Sequence, residues 1–205
     1  HYPCFEAKKC REINRYYVSS EDNKILNYAS RLGYKKINRP RNLSKKNTLH
    51  IDVINHAVDF INDDGYYPDI LIILLANAPM VKSSWIKKSI NILKKNKKIS
   101  SVIPSYAYND HNPLRAKIKK GKFLKSFISS KRKISSNRQD LPTSYFLCHN
   151  FWAIRLSSIK KNDGDEPWKF MGKKVFPLIV NRTFDVHDQD DISILKVLLN
   201  KFLKN

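Results

Sequence analysis

The chain has 205 residues, 41% of them apolar, and its 39 lysines and arginines against 18 aspartates and glutamates give a formal net charge of +21. That length suits one domain able to bury a real core, and no apolar run is long enough to cross a bilayer. Three cysteines (Cys4, Cys10, Cys148) without a C-x-x-C pair argue against a disulfide framework and a zinc ribbon, and the N-terminus lacks a basic-then-apolar leader pattern, so a reducing, cytoplasmic setting is expected.

"HYPCFEAKKC" reads as helix-like. "RYYVSS" (15–20) is a β-branched and aromatic strand, and "SEDNKILNYASRLG" a helix with Ser20 as N-cap, Glu21 and Asp22 in its first turn and Gly33 as its stop. A short strand "KKIN" and a proline-marked loop "RPRNLS" follow. Over 49–62, Ile51, Ile54, Val58 and Ile61 recur at helical spacing, and "DDGYYPD" is a turn. "ILIILLA" (70–76) is a continuous apolar run, the signature of a strand covered by helices on both faces. After "NAPMVKSS" comes a helix with Ile86, Ile90 and Leu93 on one face, then the strand "SSVIPSY". This alternation predicts an α/β domain with a mostly parallel, doubly wound sheet.

From 114 to 180 the pattern changes. "RAKIKKGKFLKSF" predicts a hairpin, "YFLCHNFWAIR" one long strand and "KKVFPLIV" another; the last helix turns Ile192, Leu195, Leu199 and Phe202 inward. Sheets of this kind usually open with a strand and a glycine-rich phosphate loop. Neither precedes the first helix, and the chain has five glycines in all. The expectation is an N-terminally incomplete domain with an empty strand slot beside "YYVSS" or "ILIILLA".

Asp185, Asp188, Asp190 and Asp191 fall within seven residues of an otherwise basic chain. A metal ion, a helix N-terminus or solvent could offset their repulsion. Asp190 and Asp191 read as first-turn acids of the last helix, whereas Asp185 lies ahead of the cap. Between Asp110 and Asp140 there are ten bases and no acid, with Phe123 and Phe127 the sole aromatics. That is too few stacking rings for a single-strand binder, and the charge reads first as a solvated lysine coat, second as attraction to polyanions.

Five segments in order, "YYVSSEDNKILNYASRLG", "INRPRNLSKKNTLHIDVINHAV", "DILIILLANAPM", "NRQDLPTSYFLCHNFWAIR" and "FDVHDQDDISILKVL", resemble the acylneuraminate cytidylyltransferase family along nearly the whole chain. The resemblance implies a nucleotide-diphospho-sugar transferase-like fold over 1–205 with a β-rich dimerisation insertion at about 111–175. It implies transfer of CMP from CTP to an acidic nine-carbon (nonulosonic) sugar, with release of pyrophosphate. By the same resemblance Asp185 is catalytic and a magnesium ligand. His187 stands where the family has the second aspartate of D-x-D, with Asp188 beside it, which also brings the softer manganese into view. Arg39 and Asn77 are implied for the nucleotide, and Arg138, Gln139 and Tyr145 for the sugar. Asn77 and Ala78 depart from the Q-P-T-S-P usual in sialic-acid members. Adjacent strand residues point to opposite faces, so Cys148 and His149 read as core or cleft-lining residues rather than a catalytic pair. Trp152 and Trp168 read as core and interface aromatics. The expected partners are CTP, the acidic sugar and a second copy of the chain, without membrane or nucleic acid. The alternatives are an inactive or sugar-shifted family member, or a basic protein engaging nucleic acid through 111–139.

Overall fold

A computed structural model describes residues 2–130 and 133–204; His1, Asn205, and Lys131 and Arg132 of the basic run lie outside the described residues. The first part of the chain forms α1 (Tyr2–Lys8), β1 (Tyr17–Ser20), α2 (Asn23–Arg31), β2 (Lys35–Asn38), α3 (His50–Asp63), β3 (Ile70–Leu74), α4 (Ser83–Lys95) and β4 (Ser101–Ala107). It continues as β5 (Lys117–Lys120), β6 (Phe123–Ser126), β7 (Tyr145–Leu147), β8 (Phe151–Arg155), α5 (Leu156–Lys161), β9 (Val175–Ile179) and α6 (Gln189–Lys204).

The central sheet has the order β3–β8–β4–β9. β8 runs antiparallel to both β3 and β4, and β9 runs parallel to β4, so β3, β4 and β9 point the same way and their carboxyl ends meet at one edge. The α/β class is as expected, with one reversed strand in the middle of the sheet. The predicted long strand over 145–155 is two strands. Ser105 faces Leu147, but Val102 faces Ala153. The intervening Cys148, His149 and Asn150 exceed what the ladder can pair, so they leave it as a bulge. Asn150 anchors the bulge: its Nδ2 donates to the Met80 carbonyl (2.8 Å) and its Oδ1 accepts from Phe151 N–H (2.9 Å).

β1 and β2 form a separate parallel pair, and β5 and β6 a separate hairpin. Among the described residues β1 pairs with β2 alone and β3 with β8 alone, so each keeps one edge without a paired strand. The run Ile70–Leu74, expected to be fully covered, is half-buried at every position. The α2 cap also differs from expectation. Asp22, rather than Ser20, caps the helix by accepting from Lys24 N–H, while Ser20 Oγ accepts from Asp22 N–H and sets the turn before it.

Alternation along the strands divides the core in two. Ile70, Ile72 and Leu74 pack with Phe151 and Ala153 toward Ile86, Ile90 and Leu93 of α4 and Ala7 of α1. Leu71 and Ile73 pack with Trp152 and Ile154 toward Ile54 and Val58 of α3 and Ile159 of α5. Helices therefore cover both faces of the sheet. On α6, Leu199 is buried, with Ile192, Leu195 and Phe202 partly so, as its periodicity predicts. Leu93 is fully buried in the α4 layer, so Leu93→Ala should destabilise the fold by about 2–5 kcal/mol. Urea unfolding should show this as a lower midpoint at unchanged slope.

Candidate functional site

The site is built by the segment that follows β9. It leaves the far strand of the sheet, yet its Val186 N–H donates to the Asn77 carbonyl (2.8 Å) beyond β3, and Asn77 Nδ2 donates back to the Val186 carbonyl (3.2 Å). Reaching β3 from β9 means passing over β4 and β8, three strand spacings or roughly 14 Å. Six residues of near-extended chain reach ~20 Å, enough for the crossing. Residues 180–187 are thus a strap across the carboxyl edge of the sheet.

Several strap residues meet the strand ends beneath them. Val180 N–H donates to the Ser105 carbonyl at 2.9 Å. The Arg182 guanidinium lies over the rings of Tyr106 (5.9 Å) and Tyr108 (5.2 Å) at the end of β4. Thr183 sits beside the Cys148 thiol in the bulge. Asp185 lies within electrostatic reach of His149 and His187. Under the strap is a cavity of about 530 Å³ whose lining includes Tyr145, Trp168, Arg182, Asp185 and His187. Both Cys148 and His149 line it, unlike neighbours on a regular strand, because the bulge breaks the alternation.

Burial sets the protonation states. It raises the Asp185 carboxyl above its ordinary value, opposed by His149 and His187. It lowers the His149 imidazole, opposed by Asp185 and reinforced by His50 and His187. The His149 ring is held against Trp152 (5.8 Å between centroids) and Trp168 (5.3 Å). Burial also raises the Cys148 thiol, with Thr183 acting against it, so this cysteine is a weak nucleophile.

The acids after Asp185 do a different job. Asp188 Oδ1 accepts from Asp191 N–H (3.0 Å), and Asp191 Oδ2 accepts from His187 N–H (2.7 Å) and Asp188 N–H (3.3 Å). This reciprocal capping box starts α6 and commits one oxygen of each carboxylate. Among the described residues no group of three His, Cys, Asp or Glu side chains is arranged to hold a metal ion.

The other expected site residues lie apart from this cavity. Arg39 stands at the carboxyl end of β2 and pairs with Glu21 at the end of β1 (2.6 Å). Arg138 and Gln139 line a smaller cavity of about 290 Å³ with Tyr108, Asn109 and Asp110, where Arg138 pairs with Asp110. The structure therefore brings Asp185, His187, Asn77 and Tyr145 to one edge, and holds Arg39 and Arg138 in ion pairs elsewhere. Arg182 and Trp168 were not among the expected site residues; the R-x-x-D spacing ahead of Asp185 is the one sequence trace of the first.

No family model matches the sequence, and no curated protein is significantly similar to it. Among solved structures, the fold is similar to a CMP:2-keto-3-deoxy-manno-octonic acid synthetase complexed with CTP, at TM-score 0.65 and 13% identity, over 98% of this chain and 86% of that one. It is also similar to a cytidylyltransferase from Leptospira borgpetersenii serovar Hardjo-bovis (strain JB197), at TM-score 0.50 and 13% identity, over 97% and 83%. At these identities the likeness is one of fold.

Asp191→Ala removes the acceptor shared by two backbone N–H groups and should cost about 0.5–2 kcal/mol, the range of N-cap losses. Asp190→Asn, which alters first-turn charge alone, should cost no more than about 0.3–1 kcal/mol. Chemical unfolding of the two variants side by side checks the difference.

Proposed function

We propose that the chain is a cytidylyltransferase that transfers CMP from CTP to an acidic sugar and releases pyrophosphate. The observation that carries this reading is the convergence of Asp185, His149 and Asn77 at the carboxyl edge of a sheet whose fold resembles that of a synthetase solved with CTP. Ligands of open α/β sheets bind at such an edge.

In this reaction the sugar's anomeric hydroxyl oxygen attacks the α-phosphorus. The bond from that phosphorus to the bridging oxygen breaks, and the hydroxyl proton must be taken up. Positioning and charge neutralisation supply most of the catalysis. His149, kept largely neutral by burial, suits the proton acceptor. The aromatic walls Tyr145 and Trp168 give the sugar apolar faces to lie on and exclude water. Asn77 acts through the strap, since its side chain holds the Val186 carbonyl and so fixes Asp185.

The cavity fits a divalent ion as a one-carboxylate site. Asp185 is half-buried and free of any ion pair among the described residues, whereas Asp188 and Asp191 are engaged in the helix cap. Magnesium is commonly held by one or two carboxylates, with substrate phosphates and water completing its shell. When bound, such an ion would neutralise charge on the phosphates.

The same reading includes a homodimer. Phe123, Leu124 and Phe127 of the β5–β6 hairpin are 70%, 70% and 64% exposed, an arrangement that a second copy would cover. The double variant Phe123→Ser/Leu124→Ser should be monomeric by light scattering at a concentration where the parent chain is dimeric.

The reaction itself is tested by pyrophosphate release from CTP with 2-keto-3-deoxy-manno-octonate or N-acetylneuraminate as acceptor. Release is expected with CTP and not with ATP. Asp185→Asn should abolish turnover and leave the unfolding midpoint near that of the parent. Asp185→Asn working at the parent rate would remove Asp185 from the reaction.

A further inference from the structure

Of Arg39, Arg138 and Arg182, the first two are already paired with acids away from the main cavity: Arg39 with Glu21 and Arg138 with Asp110. Arg182 has no acidic partner among the described residues. Its guanidinium instead lies 5.9 Å from the Tyr106 ring centroid and 5.2 Å from that of Tyr108, a cation–π placement that leaves its N–H donors for a ligand. It borders the main cavity together with Asp185, three residues further along the strap, so that their Cα atoms are at most ~11 Å apart. A nucleotide phosphate reacting near Asp185 and a carboxylate on the acceptor sugar could occupy the two ends of such a span.

The geometry points to Arg182 as the residue that selects an acidic acceptor, by a two-pronged hydrogen-bonded ion pair with the sugar's carboxylate. This rests on the cytidylyl-transfer reading. A planar guanidinium matches a carboxylate bidentately. The two tyrosine rings restrict where the guanidinium can sit, which lowers the ordering cost of taking the ligand. Arg138, expected from the sequence to meet the sugar, would first have to release Asp110. The discriminating charge is therefore on the strap rather than on the 137–142 loop.

Calorimetric titration in EDTA, where turnover is suppressed, tests this on the intact chain. The probes are CTP alone, then 2-keto-3-deoxy-manno-octonate, N-acetylneuraminate and their methyl esters. The parent chain should bind at least one acid about tenfold or more tighter than its ester, a preference expected of a charge-assisted pair. Arg182→Gln should lose that preference and keep its CTP affinity within about twofold. Arg182→Lys, which retains the charge but not the fork, should recover part of the preference. Arg182 is exposed, so these variants should melt with the parent. An Arg182→Gln chain that still prefers acid to ester overturns the inference. So does one that loses CTP affinity instead, which would assign the guanidinium to a phosphate, and so does a parent chain that binds neither acid. A parent chain that binds no CTP yet discriminates acid from ester through Arg182 would refute the transferase reading and leave the anion site standing.

Discussion

The paired hydrogen bonds between Asn77 and Val186 are the constraint on which the candidate site depends. β9 lies at one side of the central sheet and β3 at the other. Joining their carboxyl ends forces residues 180–187 over the ends of β4 and β8. Every notable feature of the edge follows from that crossing: Arg182 over the tyrosines of β4, Thr183 at the Cys148 thiol, and Asp185 beside His149. The capping box of α6 fixes the other end of the strap, because Asp191 accepts from the N–H of His187, one residue beyond the clasp. The four aspartates thus divide by place. Asp185 faces the cavity, while Asp188 and Asp191 hold the helix start to which the strap is tied.

Electrostatics at this edge differ from those of the chain as a whole. A net charge of +21 describes a lysine-coated exterior, and exposed lysines are hydrated and screened. The cavity carries few charges, and burial shifts them toward neutrality: Asp185 upward, His149 downward, Cys148 upward. Low effective polarity strengthens any charge–charge contact made there. Arg182, on the strap and at the rim of that cavity, is placed to meet a ligand there, which lysines spread over the exterior are not.

Much of the fold was legible in the sequence. The apolar run at 70–76, the helical spacing of Ile51, Ile54, Val58 and Ile61, and the inward face of the last helix each bury against a neighbour that any α/β packing would supply. Interruptions and crossings were harder to read. "YFLCHNFWAIR" carries no glycine or proline at 148–150, so nothing local marks the bulge that brings Cys148 and His149 to the same cavity. The strap has no periodicity, and the strands it crosses depend on sheet order, a property of the whole chain. Asp185 was legible from its place ahead of a capped helix, and Asn77 from its place after a buried strand. Arg138 and Arg182 were not distinguishable by sequence, because the difference between them is Asp110, 28 residues from Arg138 along the chain. Asp22 displaced Ser20 as the α2 cap because both types accept backbone N–H bonds, and two residues of register decide between them.

Ligand binding at the strapped carboxyl edge would register in backbone amide exchange measured with and without CTP and an acidic sugar. Exchange should slow at 181–188 and 145–151, and at Ala78, whose N–H follows the Asn77 clasp, with the β5–β6 hairpin unchanged at fixed oligomeric state. Protection confined to the hairpin, or to the lysine-rich exterior, with the strap exchanging as in the free chain, would contradict it.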